Sequence, residues 1–145
     1  MTDHVLVPVD ASPLSEQAVE FALEEYADDA TITVLHVIDF VEAGYGAPME
    51  ASLPGYWEDW YETEKENAEE LFANLQSMAD DYDVTLATET VMGQPARSIV
   101  EFADSEPIDH VVMGSHGRSG VSRILLGSVA ETVLRRAHCP VTIVR

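Results

Sequence analysis

Three observations predict an α/β fold with an open parallel sheet and helices on both faces. Short runs rich in β-branched residues alternate with longer stretches of helical periodicity, in the order βαβαβαβαβ. The run Thr31–Ile38 is mainly apolar, as a strand buried on both faces requires. The stretches between the runs have the length of single helical crossovers, which bring successive strands together in parallel.

The first strand is expected over His4–Val9. Ser12-Pro13 then supplies an N-cap followed by proline at the first helical position. Leu14, Ala18, Phe21 and Ala22 recur at helical spacing, so this helix should run to about Ala27. Thr31–Ile38 is the second strand. Residues 39–56 hold Gly44, Gly46, Pro48, Pro54 and Gly55 and should be the least regular part of the chain. The aromatics Tyr45, Tyr56, Trp57, Trp60 and Tyr61 read as packing for a loop and the head of the next helix, or else as a lid or partner surface. That helix is expected from about Tyr56 to Asp81, with Ala68, Leu71, Phe72, Leu75 and Met78 turned inward. A third strand follows over Val84–Val91, then a helix marked by Ala96, Ile99, Val100 and Ala103 with Pro95 near its start. Ile108–Met113, Ser128–Ala137 and Val141–Val144 complete the pattern as strand, helix and strand. No repeat, low-complexity segment or linker interrupts it, so residues 1–145 are expected to form a single domain.

The formal net charge is −20, from 27 carboxylates against seven Lys plus Arg, and Lys65 is the only lysine. Such a surface repels phosphate backbones and anionic lipids, which argues against nucleic-acid and membrane partners. The carboxylates run from Asp3 to Glu131 without a separate tail, the distribution expected of a protein from a high-salt cytoplasm. One cysteine, Cys139, cannot form an internal disulfide, and the N-terminus lacks the basic and apolar regions of a signal peptide. No apolar stretch approaches the roughly 18–20 residues of a membrane span. A soluble, cytoplasmic protein is expected.

In an open α/β sheet, ligands bind at the carboxyl ends of the strands, where the strand order reverses. The segment after the fourth strand, Gly114–Ser128, reads GSHGRSGVSRILLGS and carries the spacing Gly-x2-Gly-x9-Gly-Ser at Gly114, Gly117 and Gly127. Glycines let main-chain N–H groups approach an anion, and Gly127-Ser128 opens a helix whose positive end favours phosphate. Ser128 is placed to cap that helix or to donate to a phosphate oxygen, and Arg118 adds a positive charge. The same glycines would also serve simply to shape a long loop. No Gly-x4-Gly-Lys-Ser/Thr is present, and the first turn, Asp10-Ala-Ser-Pro, lacks the Gly-x-Gly-x-x-Gly of dinucleotide folds. His116 has no neighbour in sequence to orient it as a base, His36 and His110 fall inside strands, and no Gly-x-Ser-x-Gly surrounds Ser12 or Ser15.

The glycine spacing, together with VLVPVDASPLSEQAVEFA, VLHVID and RRAHCPVTIVR, resembles the ATP-binding branch of the universal stress proteins, over most of the chain outside residues 40–80. The resemblance, with the acidic surface, points to a halophilic archaeal source. It implies a Rossmann-like sheet of strand order 3-2-1-4-5, of the adenine-nucleotide α-hydrolase-like kind. By the same resemblance Pro8, Val9 and Asp10 would border the adenosine, with Asp10 near adenine or ribose. Val37 would offer main-chain groups to the adenine edge, and Met113 and Gly114 would line the ribose side. Gly117, Arg118, Gly127, Ser128 and Val129 would surround the phosphates of ATP, and Mg²⁺ would ride on those phosphates. Val141–Val144 would be an edge strand that pairs with its twin in a homodimer. The function implied is a nucleotide-dependent stress-response or signalling module that holds ATP without turning it over efficiently. Two rivals remain: a slow ATPase or nucleotidyl-transfer enzyme of a related fold, and a protein-interaction dimer without nucleotide.

Overall fold

The computed structural model describes residues 2–116 and 126–145. Five strands, β1 (His4–Pro8), β2 (Thr31–Ile38), β3 (Ala87–Met92), β4 (His110–Gly114) and β5 (Val141–Val144), form one parallel sheet in the order β3-β2-β1-β4-β5. The helices are α1 (Pro13–Tyr26), α2 (Phe40–Tyr45), α3 (Tyr56–Asp80), α4 (Pro95–Ser105) and α5 (Ser128–Arg136), with a short 3-10 turn at Met49–Ser52. The α/β architecture and the strand order are as the sequence and its resemblance imply.

Side-chain alternation in the central strand divides the core in two. Val5, Val7 and Val9 point to one face, where they meet Ala18, Val19, Ala22 and Leu23 of α1 and Leu75 and Ala79 of α3. Leu6 points to the other face and meets Ile99 and Ala103 of α4 and Ala130 and Val133 of α5. Each fully buried Leu, Ile or Val contributes about 1.5–3 kcal/mol, so this three-layer arrangement holds the strand ends in place. In α1 the innermost face is Ser15, Ala18, Val19, Ala22 and Leu23, while Leu14 and Phe21 lie partly exposed at its margins.

Several local expectations need correction. Ser12 stands at the N-cap of α1, but its side chain makes no cap bond. The third strand begins at Ala87, not Val84, because Gln76 of α3 takes the preceding segment. Gln76 Nε2 donates to the Val84 carbonyl at 2.8 Å, and Gln76 Oε1 accepts from the Leu86 N–H at 2.9 Å. The fourth strand likewise begins late, at His110 rather than Ile108. Part of residues 39–56 is helical: Asp39 caps α2 by accepting from the Glu42 N–H at 3.0 Å.

Asp109 explains the late start of β4. Its Oδ2 accepts from the N–H groups of Asp3 and His4, both at 2.9 Å, tying the start of β1 to that of β4. These two bonds hold its carboxyl below the usual carboxylate range. A depressed folded pKa stabilises above the unfolded value of about 3.9 and is lost as pH falls through the folded value. Asp109→Ala should therefore lower the melting temperature at neutral pH, and the gap from wild type should close below about pH 4. A gap that persists unchanged into acid would refute this role.

Candidate functional site

At the carboxyl end of β1 the chain leaves the sheet through a closely bonded turn. The Val9 N–H donates to the Leu35 carbonyl at 2.8 Å, and the Asp10 N–H donates to Ser15 Oγ at 2.8 Å. Asp10 Oδ1 accepts from the Ser12 N–H at 2.9 Å and from Ser15 Oγ at 3.0 Å. Ser12 and Ser15 are both buried. One carboxylate oxygen thus fastens the turn into α1, and among the described residues Oδ2 takes no bond. Ser15, which the sequence offered only as a rejected nucleophile, is the group that positions Asp10.

β2 outruns β1 at this end. Its pairing with β1 extends to Leu35 opposite Pro8, whereas its pairing with β3 continues to Ile38 opposite Met92, and the Gly93 N–H reaches the Ile38 carbonyl at 3.0 Å. Alternation turns the Val37 N–H and C=O to the same side as those of Leu35, toward β1. The next rung of that ladder would use the Val9 carbonyl, but His36 Nδ1–H donates to that carbonyl at 3.0 Å. Among the described residues the Val37 main chain takes no bond from β1 and faces the crevice beyond it. The side chains of Pro8, Val9 and Met113 are buried and that of Val37 packs into the α4/α5 side of the core, so these positions offer main-chain atoms.

β4 ends at Gly114, where an added Cβ would lie 2.8 Å from Cβ of Leu14; glycine lets the first turn of α1 close on the strand. Beyond it, the Ser115 N–H donates to the Val144 carbonyl at 2.8 Å, and the Gly127 N–H donates to the Ser115 carbonyl at 2.7 Å. These bonds clip the chain's return at Gly127 to its departure at Ser115, and so set the start of α5 beside the end of β4. Gly127 is the N-cap of α5, and among the described residues no side chain caps the helix. Ser128 is thus the first helical residue rather than the cap, and it is exposed. Val129 packs its side chain into the core, which leaves its N–H as the group able to serve a ligand. Uncapped N–H groups at the positive end of a helix dipole favour an anion.

Gly117 and Arg118 lie outside the described residues. His116 is better oriented than its sequence suggests, because its Nδ1 lies 3.0 Å from Oγ of the buried Ser115. Asp10, the Val37 main chain, Gly114, Gly127 and Ser128 are all brought to the carboxyl ends of the strands. Among the described residues no group of three or more His, Cys, Asp or Glu side chains is placed to hold a metal ion, and no helix is long and apolar enough to cross a membrane.

The fold has counterparts among known proteins. The chain is 39% identical over 142 residues to a universal stress protein of Methanocaldococcus jannaschii, MJ0531, covering 97% of this chain and 81% of that protein. A second protein of that organism, MJ0577, has a solved structure that superposes with a TM-score of 0.85 at 29% identity, covering 99% of this chain and 96% of the other. A solved universal stress protein in complex with cAMP superposes with a TM-score of 0.72 at 26% identity, covering 99% and 97%. Relatives in Mycobacterium tuberculosis are longer, and this chain, 34% identical over 143 residues, spans 45% of their length. The family model described as the universal stress protein family matches residues 1–145 from end to end, and the chain belongs to that family.

Proposed function

We propose that the chain is an ATP-binding module of nucleotide-dependent stress signalling, working as a homodimer. The observation that carries the reading is the Ser115–Gly127 clip, which sets the start of α5 beside the end of β4, near the crevice where, among the described residues, Asp10 Oδ2 and the Val37 main chain take no bond. Adenine would meet the Val37 N–H and C=O, ribose would meet Asp10 and Gly114, and the phosphates would meet Gly127, Ser128 and Val129, with Gly117 and Arg118 completing the cradle. A solved relative with cAMP supports an adenine nucleotide as the class of ligand. Mg²⁺ would be carried on the phosphates. Twin copies would pair through β5, which stands at the sheet edge with all four residues only half-buried. The Ser115–His116 pair favours one second reading, slow hydrolysis of the bound ATP.

The test is to denature the purified protein, identify any released nucleotide by mass, titrate ATP with Mg²⁺ and follow ADP over hours. Intact bound ATP with little ADP supports the module, repeated turnover supports the hydrolase, and no nucleotide by release or titration overturns both. Asp10 variants locate the site. Asp10→Asn keeps an acceptor for the turn but replaces the unbonded oxygen, so affinity should fall about tenfold with little loss of stability. Asp10→Ala should in addition destabilise by about 1 kcal/mol, the usual net worth of a hydrogen bond lost from the turn.

A further inference from the structure

We propose that a groove formed by Phe40, Trp57, Tyr61 and Met92 binds a small quaternary-ammonium cation of the choline kind. The groove joins the start of α2, the head of α3 and the end of β3, and none of its lining residues belongs to the nucleotide site. Its volume is 280 Å³, in a shallow depression largely open to solvent. That lies just below the range for drug-sized ligands and suits a head group.

The chemistry of the walls selects the ligand. Three aromatic side chains, a thioether and one carboxylate, Glu58, line the groove. The ring centroids of Phe40 and Trp57 stand 4.7 Å apart at 57°, so the two rings are tilted rather than stacked. Trp60, which does not line the groove, braces them edge-on at 5.8 Å and 5.6 Å. Tilted aromatic faces attract a cation through their quadrupoles, and methyl groups on that cation fill the apolar space between them. One cation already stands at the edge of the cluster: the Lys65 ammonium, paired with Glu62 at 3.2 Å, lies 4.9 Å from the Tyr61 ring centroid. A primary ammonium is strongly hydrated and gives up its water at greater cost than a methylated one. Glu58 supplies the counter-charge, and a chain of net charge −20 concentrates cations and excludes anions. A zwitterion such as a betaine would bring its own carboxylate toward Glu58, so a quaternary ammonium without an acid group fits better.

The test uses the intact protein and the emission of Trp57 and Trp60, its only tryptophans. Choline chloride is exchanged for sodium chloride at constant ionic strength, with the uncharged carbon isostere dimethylbutanol titrated in parallel. A saturable emission change with choline is expected, at least about tenfold weaker with the isostere. Trp57→Leu should weaken binding about tenfold, with Trp60 as the remaining reporter. Glu58→Gln, at an exposed position that leaves the fold intact, should weaken it about threefold. Absence of a saturable change, equal binding of the isostere, or wild-type affinity in Glu58→Gln would each overturn the proposal.

Discussion

Gly127→Ala is expected to destabilise the protein by about 1–3 kcal/mol and to lower ATP affinity at least tenfold. Backbone strain is not the cause. Gly127 has φ −65° and ψ 156°, a conformation any residue adopts. The obstacle is space: a Cβ would lie 2.8 Å from the Ser115 carbonyl oxygen and 3.4 Å from Cα of His116. Both are main-chain atoms, so neither can swing aside as a side-chain tip would. Relief requires opening the bond from the Gly127 N–H to that carbonyl, which sets the start of α5 against β4. One added methyl group therefore strikes packing and phosphate site together. Gly46→Ala is the control, since nothing lies within 4 Å of a Cβ there. Urea unfolding and ATP calorimetry on both variants decide the matter. A Gly127→Ala protein with wild-type stability and affinity would show that the clip is dispensable.

The parts of this structure legible in the sequence are those governed by periodicity. β2 and β5 have the expected bounds, and α1 and α3 each end one residue before the expected position. What escaped was decided by contacts between residues distant in sequence, or by side chains acting on local main chain. β3 starts three residues late because Gln76 takes Val84 and Leu86 into side-chain bonds, a choice that residues 84–86 do not encode. α2 was hidden by surrounding glycines and prolines, although Asp39 followed three residues later by Glu42 is a helix-start signal. At the site, the glycine spacing and the strand-end rule pointed to the ends of β1 and β4, where Asp10, Gly114 and Gly127 stand, while Gly117 and Arg118 lie outside the described residues. The exposure of the Val37 main chain depends on β1 leaving the sheet after Pro8, where the Asp10 N–H turns to Ser15 Oγ, and no spacing in the sequence announces that bond.

The acidic surface sets the second large effect, on stability in salt. The net charge is −20. The ion pairs Lys65–Glu62, Arg97–Glu101 and Arg135–Glu131 are all exposed and each contributes about 0–1 kcal/mol. The largest share of the surplus lies on α3, where Glu58, Glu62, Glu66 and Glu70 succeed one another at intervals of one helical turn. Like charges at this spacing destabilise a helix by about 0.2–0.5 kcal/mol per pair. Screening lengths fall from about 10 Å at 0.1 M salt to about 3 Å at 1 M, so most of this repulsion should vanish over that range. The melting temperature is expected to rise by on the order of 10 °C between dilute buffer and molar potassium chloride. Screening alone does not separate this from a general salting-out effect, but Glu66→Lys does. It turns the Glu62 and Glu70 contacts from repulsive to attractive, worth about 1 kcal/mol or roughly 3 °C in dilute buffer. If repulsion limits the fold, that gain disappears in molar salt, where the carboxylates no longer sense one another. An equal gain at both salt concentrations would mean that α3 is limited by helix propensity instead, and that the acid excess serves solubility rather than a stability tuned to salt.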